Sequence, residues 1–490
     1  MPLLILQCAS APSGELPFSP PLASHWPALP TSLNPLRAIA MAIFSTESSL
    51  YSHKDRAWQE NAEPGETFLA MDFSVTKLTE GLVAPAGPTP AGTLPLSVMD
   101  KTPGSVVLVD SIHVFRYGRQ PAKIIREALS RALVFYYPVA GRFAMTDQDE
   151  LEVACTADGV YFIDASASCS LEDVNYLQLP LSVPKESILP YPTPDAGQTE
   201  GIVILLMQVT EFTCGGFTVG IRSSHAIFDG IGAGQFFQAI SDIARGCTEP
   251  LVKPIWCRDA IPSPPKLQRG PPPPLLTFKF VDTILDISSD HINRIKDEFI
   301  KKTGTFCSTF DVLTAKVWQS RTRAIQLEEH STVRIGFAAN ARHLLYKSLL
   351  KEEGYYGNCA YPMTITAPRQ KVADGSLLEV ISLIKDAKQS LPIRFSKWMM
   401  GDPQEDPFKE PIDYGFLSIS DWSRVGLSKV DYGWGTPIHF CPVNDYNFFG
   451  SCIFLRPPAP KQGLRLMARC VVKEESASFR DQLMEFATER

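Results

Sequence analysis

The sequence predicts an α/β fold in two halves, on three observations. Strand-like apolar runs alternate with stretches of helical spacing over most of the chain. A Pro-rich segment, Ile261 to Pro274, can neither pair in a sheet nor continue a helix. Beyond it the same grammar resumes, giving two α/β halves of about 200 residues each, a usual size for a domain. No short repeat relates them.

Ordered sequence begins near Phe68. Phe73 to Leu78 alternates as a strand does, and the Pro/Gly-rich Val83 to Pro90 reads as loop. Ser105 to Phe115 reads as a strand. Pro121 opens a helix carrying Ile124, Ile125, Ala128, Leu129 and Ala132 at helical spacing, and Pro138 and Gly141 turn the chain back into strands. Residues 202–209 form one apolar strand, and Cys214-Gly215-Gly216 turns it into a partner, Phe217 to Arg222. Gln235 to Ala244 is helical, with Gly246 past its end. In the second half Phe278 to Ile287, Arg334 to Ala339, Cys452 to Leu455 and Leu464 to Val472 are strands. Asp290 to Lys301, Phe310 to Thr322, Ser376 to Ala387 and a C-terminal stretch with Phe479, Leu483, Met484 and Phe486 are helices. The halves are set at 41–250 and 278–490, with 251–277 as an extended surface crossover.

Composition narrows the class. The 490 residues are 44% hydrophobic and 20% charged, as in a globular protein with large cores. With 46 basic and 53 acidic residues the formal charge is −7, which offers nothing to attract nucleic acid or an anionic membrane, though a local basic patch stays compatible with it. The 11 cysteines include no Cys-x-x-Cys, so no metal site is expected, and the set reads as reduced thiols in a cytoplasmic protein. No apolar run reaches the roughly 18 residues that would span a bilayer. Residues 1–40 begin with apolar Pro2 to Leu6 but lack a basic segment before it. They read as a disordered extension, or as an upstream start with the working start at Met41.

Chemistry concentrates first at Ser223-Ser224-His225-Ala226-Ile227-Phe228-Asp229-Gly230, where a strand meets a helix. An imidazole titrates near neutrality, so His225 is suited to take a proton from a hydroxyl or amine. Three roles stay open for Asp229: capping the next helix beside a core histidine, orienting the ring as in a catalytic triad, or a structural ion pair turned away from it. No Gly-x-Ser-x-Gly elbow supplies a serine nucleophile, and Gly230-Ile231-Gly232-Ala233-Gly234 fits neither a P-loop nor Gly-x-Gly-x-x-Gly. A second segment, Asp431-Tyr432-Gly433-Trp434-Gly435, holds an indole between two glycines. It reads either as a tight turn with a buried Trp or as a donor to a developing oxyanion.

Together these segments resemble the BAHD acyltransferases, the plant-type acyl-CoA-dependent family. His225-x-x-x-Asp229-Gly230 matches its His-x-x-x-Asp signature, and Asp431 to Gly435 matches Asp-Phe-Gly-Trp-Gly with Tyr432 for Phe. Tyr137-Pro138-Val139-Ala140-Gly141-Arg142 and Gly354-Tyr355-Tyr356-Gly357-Asn358 resemble two further family blocks. The likeness runs from about residue 68 to 488. Val83 to Asp100 looks like the branch acting on alcohols, taxane-type terpenoids or benzyl alcohol.

The resemblance implies two chloramphenicol-acetyltransferase-like domains joined by a long crossover, with an active-site channel between them that reaches His225. It implies an O-acyltransferase of plant specialised metabolism, cytoplasmic and monomeric. Acyl-CoA is its co-substrate with no bound cofactor, and a small alcohol, less readily an amine, is the acceptor. His225 is the general base, and attack is direct, without an acyl-enzyme or a metal. Asp229 becomes structural, paired with Arg342 of Asn340-Ala341-Arg342. Asp431, Gly433 and Gly435 also become structural, with Trp434 the member of that motif nearest the chemistry. Ser420 and Trp422 are the substrate-binding candidates, a hydroxyl for the thioester oxygen and an indole to wall an aromatic acyl group. The alternatives are a catalytically silent two-domain protein binding a small hydrophobic ligand, and a hydrolase.

Overall fold

The computed structural model describes residues 73–488 apart from 103–104, 106, 149, 194–201, 265–276, 346–352, 409–411 and 445–446. The extension 1–40 and most of the Pro-rich crossover lie outside the described residues. In the first half the strands are β1 (Val75–Val83), β2 (Thr93–Pro95), β3 (Leu108–Phe115), β4 (Arg142–Met145), β5 (Leu151–Ala154), β6 (Val160–Ala167), β7 (Ile202–Val203), β8 (Leu205–Glu211) and β9 (Phe217–Ser224). In the second they are β10 (Phe280–Ile287), β11 (Thr332–Asn340), β12 (Ala360–Pro368), β13 (Phe416–Asp421), β14 (His439–Pro442), β15 (Gly450–Leu455) and β16 (Leu464–Val472). The principal helices are α1 (Pro121–Phe135), α2 (Gly230–Ala244), α3 (Ser289–Thr303), α4 (Thr309–Ala324), α5 (Leu377–Gln389) and α6 (Lys473–Thr488).

Two six-stranded mixed sheets form the frame, ordered β1-β6-β8-β9-β3-β14 and β10-β16-β15-β13-β11-β12, with a four-stranded sheet β2-β5-β4-β7 beside the first. Each large sheet contains parallel pairs, β6 with β8 in one and β11-β13-β15 in the other. Such sheets need cover on both faces, which explains why all eight residues of β9 are buried. Fully enclosed side chains such as Phe217 and Val219 contribute on the order of 1.5–3 kcal/mol each.

The helices form where the sequence places their ends. Pro121 sits in the first turn of α1, where no N–H is needed, and Ile125, Ala128, Leu129, Ala132 and Leu133 bury one stripe. Ser308 with Asp311, and Ser376 with Glu379, close capping boxes on α4 and α5.

Three features depart from the sequence reading. The apolar run 202–209 is not one strand. It breaks at the fully buried Ile204, so that β7 joins the small sheet and β8 the large one. A local break in the ladder is how a strand switches sheets at a corner. Helix α2 starts at Gly230 rather than Gln235. Its glycines read as poor helix formers, but a Cβ on Gly232 would overlap the Tyr356 carbonyl and one on Gly234 the Val425 carbonyl. Close backbone approach, not propensity, decides these positions. Finally, β14 from the second half pairs antiparallel with β3 and becomes an edge strand of the first sheet. A division of the chain at the crossover is therefore crossed by one strand, which covers the open edge of β3. Pro442 is tolerated there because an edge strand can lack a donor.

Candidate functional site

His225 follows the last residue of β9 directly. The strand is held to its end, with Ser224 N donating to Ile204 O at 3.0 Å and His225 N to Val107 O at 2.9 Å. The chain then turns: Ile227 N donates to Ser224 O at 3.2 Å, and Asp229 caps α2 through Gly232 N at 3.0 Å. Ala226, Ile227 and Phe228 are buried, whereas the His225 ring is only half-buried. Its Nδ1 is buried and has no hydrogen-bond partner among the described residues.

Asp229 faces away from that ring. Arg342 Nη1 and Nη2 donate to its two carboxylate oxygens at 2.8 Å each, and Cys359 N adds a bond at 3.1 Å. Burial alone would raise this carboxyl. The Arg342 charge and the four donated bonds overcome it and hold the group below its ordinary 3.8. Of the three roles left open for Asp229, the geometry realises the helix cap and the ion pair, and not the triad. Arg342 also reaches Gly357 O at 2.8 Å, so the pair ties β11's exit to the segment 355–359.

A second buried ion pair lies on the other side of the loop, and sequence reasoning missed it. Arg258 Nε donates to Asp100 Oδ2 at 3.0 Å, and both side chains are 0% exposed. Arg258 Nη2 donates to the Ile227 carbonyl. Asn358 Nδ2 donates to Asp100 Oδ1 at 2.9 Å and to the His225 carbonyl at 2.7 Å. Asn358 stood within a recognised block but had no assigned role. Asp100 closed the Val83 to Asp100 block without an assigned role, and Arg258, 158 residues on, lies in no recognised motif. The one local hint was a charge set among apolar neighbours, as in Val98-Met99-Asp100.

Ser420 and Trp422 come together at the end of β13, where the Trp422 indole N–H donates to Ser420 Oγ at 2.8 Å. That bond occupies a lone pair of the hydroxyl and leaves its proton free to donate. The indole stacks on Phe440 at 5.8 Å between centroids. Three residues on, Val425 packs on the first turn of α2: a Cβ on Gly230 would stand 3.0 Å from Val425 Cγ1. Ser420 and Trp422 thus lead into the end of α2 that carries the His225 loop.

The Asp431 motif lies elsewhere. Ser241 Oγ bonds both Asp431 O (2.5 Å) and Asp431 N (2.6 Å), and Arg245 Nη1 also donates to Asp431 O at 2.6 Å. Asp431 Oδ1 accepts from Gly433 N at 2.8 Å and Gly435 N at 2.9 Å, closing a turn in which the two glycines have φ of 109° and 93°. Tyr432 is buried against Phe115. Ser241 is eleven residues past Gly230, roughly 16 Å along α2. Trp434 meets Phe217 edge-on at 5.6 Å, and Phe217 opens β9, seven steps or roughly 23 Å before Ser224. Its anchors put Trp434 at the far end of the strand that delivers His225. Asp431 is tied to α2 through Ser241, while Trp434 rests on the start of β9.

Among the described residues no group of three or more His, Cys, Asp or Glu side chains could hold a metal, and no helix is long and apolar enough to cross a membrane.

The Transferase family model matches residues 73–485. Acyl transferase 9 of Oryza sativa subsp. japonica is 44% identical over 411 residues, 83% of this chain and 96% of that protein. Myricetin 3-O-glucosyl 1,2-rhamnoside 6'-O-caffeoyltransferase AT2 of Crocosmia x crocosmiiflora is 45% identical over 442 residues, 85% of this chain and all of that one. In fold the chain resembles vinorine synthase, with a TM-score of 0.65 at 19% identity over 84% of this chain and 98% of that one. The chain therefore belongs to the BAHD acyltransferases of the Transferase family and is an acyl-CoA-dependent O-acyltransferase.

Proposed function

We propose that His225 is the general base for direct acyl transfer from acyl-CoA to the hydroxyl of a small specialised metabolite. The observation that carries this reading is the separation of His225 from Asp229, whose oxygens are all engaged by Arg342, Gly232 and Cys359. With Nδ1 buried, Nε2 is the nitrogen that takes the acceptor's proton. The alkoxide attacks the thioester carbonyl, and the tetrahedral oxyanion collapses to release CoA as thiolate, which recovers the proton from the imidazolium. Ser420, its lone pair held by Trp422, donates its hydroxyl proton to the oxyanion.

The donor is an aromatic acyl-CoA. The Trp422–Phe440 stack beside Ser420 supports this, as does the likeness to a caffeoyltransferase. Catalysis takes place between an N-terminal domain (41–250) and a C-terminal domain (278–490), joined by 251–277. The enzyme works as a cytoplasmic monomer without nucleic-acid or membrane partners.

The test is release of free thiol from caffeoyl-CoA and acetyl-CoA in the presence of an alcohol panel, with products identified by mass spectrometry. His225→Ala is expected to slow release by about 10²–10⁴-fold. An unchanged rate overturns the base assignment, and a preference for acetyl-CoA overturns the donor class.

A further inference from the structure

We propose that Arg258 is a positioning residue for His225: with Asp100 and Asn358 it fixes the backbone path of the 225–229 loop and so the placement of the imidazole. This rests on the reading of His225 as the base. The loop is short, and several of its backbone groups have named partners. His225 N and Ile227 N bond within the first half, to Val107 O and Ser224 O. Two of its carbonyls, His225 O and Ile227 O, are taken by Asn358 and Arg258, and both of these donors also hold Asp100. Asp100 is itself fixed by Ser97 N at 2.9 Å and Ser97 Oγ at 2.6 Å. The arrangement is a hub: one carboxylate, two donors on it, and each donor with a second bond to a loop carbonyl.

Stability is a poor explanation of such a hub. Burying an Arg–Asp pair at 0% exposure costs desolvation that the attraction only about recovers, and apolar replacements are often neutral or stabilising. What an apolar replacement cannot do is grip the Ile227 carbonyl and hold Asn358 on the His225 carbonyl. The guanidinium is also held from its face, 3.7 Å over the Trp256 ring and 5.0 Å from that of Tyr356. Gly357 leaves it room, since a Cβ there would stand 3.0 Å from Arg258 Cζ. Arg258 ends a segment joined to the second half through Ile255 N and Gly354 O at 3.0 Å. The loop that carries the base is therefore tied to the second half through Arg342 and Asn358, and through Arg258 to the start of the crossover.

The test compares Arg258→Gln, Arg258→Lys and the charge-neutral pair Asp100→Asn/Arg258→Gln by thermal midpoint, by both KM values and by kcat per folded molecule. In Arg258→Gln and in the pair, kcat is expected to fall about 10–100-fold while both KM values stay within about twofold, because a misplaced base slows chemistry and not binding. Lys, lacking the fork, recovers only part of the loss. If Arg258→Gln does not fold, the pair decides, since it leaves no buried charge unpaired. Folded variants with a lower midpoint and an unchanged kcat overturn the proposal. The same substitutions in a His225→Ala background separate the two readings. A His225→Ala enzyme that keeps its rate refutes the base assignment. Loss in His225→Ala with none in Arg258→Gln refutes positioning alone. Positioning requires that Arg258→Gln add little once the imidazole is gone.

Discussion

Asp229→Asn separates a strut from a triad member. Asn caps a helix as well as Asp, so the bond from Gly232 N survives and the perturbation is confined to charge. What is lost is the counter-ion of Arg342, which is 4% exposed and keeps two nitrogens against the altered side chain. Breaking a buried pair by removing one partner costs about 3–5 kcal/mol. For a domain of this size that lowers the melting temperature by on the order of 10 °C. Arg342→Met should cost a similar amount. The double variant should cost less than the sum by at least about 1 kcal/mol, because it strands no charge.

Thermal and urea unfolding give these stabilities, and thiol release per folded molecule gives the activity. A triad aspartate changed to Asn costs about 10⁴ in kcat by spoiling the tautomer. Here the loss of stability should dominate, and kcat per folded molecule should fall by far less. A loss near 10⁴ in a variant as stable as the parent would refute the reasoning. The acid side gives a second check. The carboxyl is held below 3.8 when folded, so its contribution is complete above about pH 4 and disappears as pH falls through the depressed folded value. Asp229→Asn should lack that acid-side decline.

Three further outcomes follow from the packing. His113, enclosed by Phe237 and Phe440, has its imidazole pushed by burial from 6.5 to about 3. The unfolded chain therefore binds the extra proton first, and stability should fall by about 1.4 kcal/mol per pH unit between 6.5 and 3 on this group's account. Urea titrations of His113→Phe should show a shallower slope, the remainder including His439, which burial shifts the same way. Gly232→Ala drives a Cβ into the Tyr356 carbonyl and should cost about 3 kcal/mol or more. Gly246→Ala, whose Cβ meets nothing within 4 Å, should cost only about 1 kcal/mol for its φ of 101°. Ser420→Ala should lower kcat by about 10²-fold at parental stability, whereas Trp434→Phe should leave kcat within about threefold. The opposite ranking would return Trp434 to the active site.

Legibility in the sequence divided along physical lines. Ile124, Ile125, Ala128, Leu129 and Ala132 announced α1 because burial on one helix face is written at a fixed local period. The break at Ile204 was not visible, since an apolar run looks the same whether one sheet or two receives it. Gly232 and Gly234 read as a weak helix start, because their reason lies in the Tyr356 and Val425 backbones more than a hundred positions away in the sequence. His225 stood out through its pattern, and Arg342 only through family likeness. Nothing local joins Arg258 to Asp100, because an ion pair has no period and the fold alone brings its members together.

The placement of those pairs carries the argument further. Three Arg–Asp pairs have both side chains no more than 11% exposed: Arg222–Asp110 at 3.0 Å, Arg258–Asp100 at 3.0 Å and Arg342–Asp229 at 2.8 Å. Arg222 lies three residues before His225 and bonds across the β3–β9 ladder, Arg258 holds the Ile227 carbonyl, and Arg342 holds Asp229. Two of the three, Arg258–Asp100 and Arg342–Asp229, hold the five-residue loop itself, where apolar packing would serve stability at less cost in desolvation. Their common feature is a directional bond fixed at both ends. The proposed reaction, through one imidazole and without a protein nucleophile, depends on where that imidazole points, and these two pairs fix the loop that carries it.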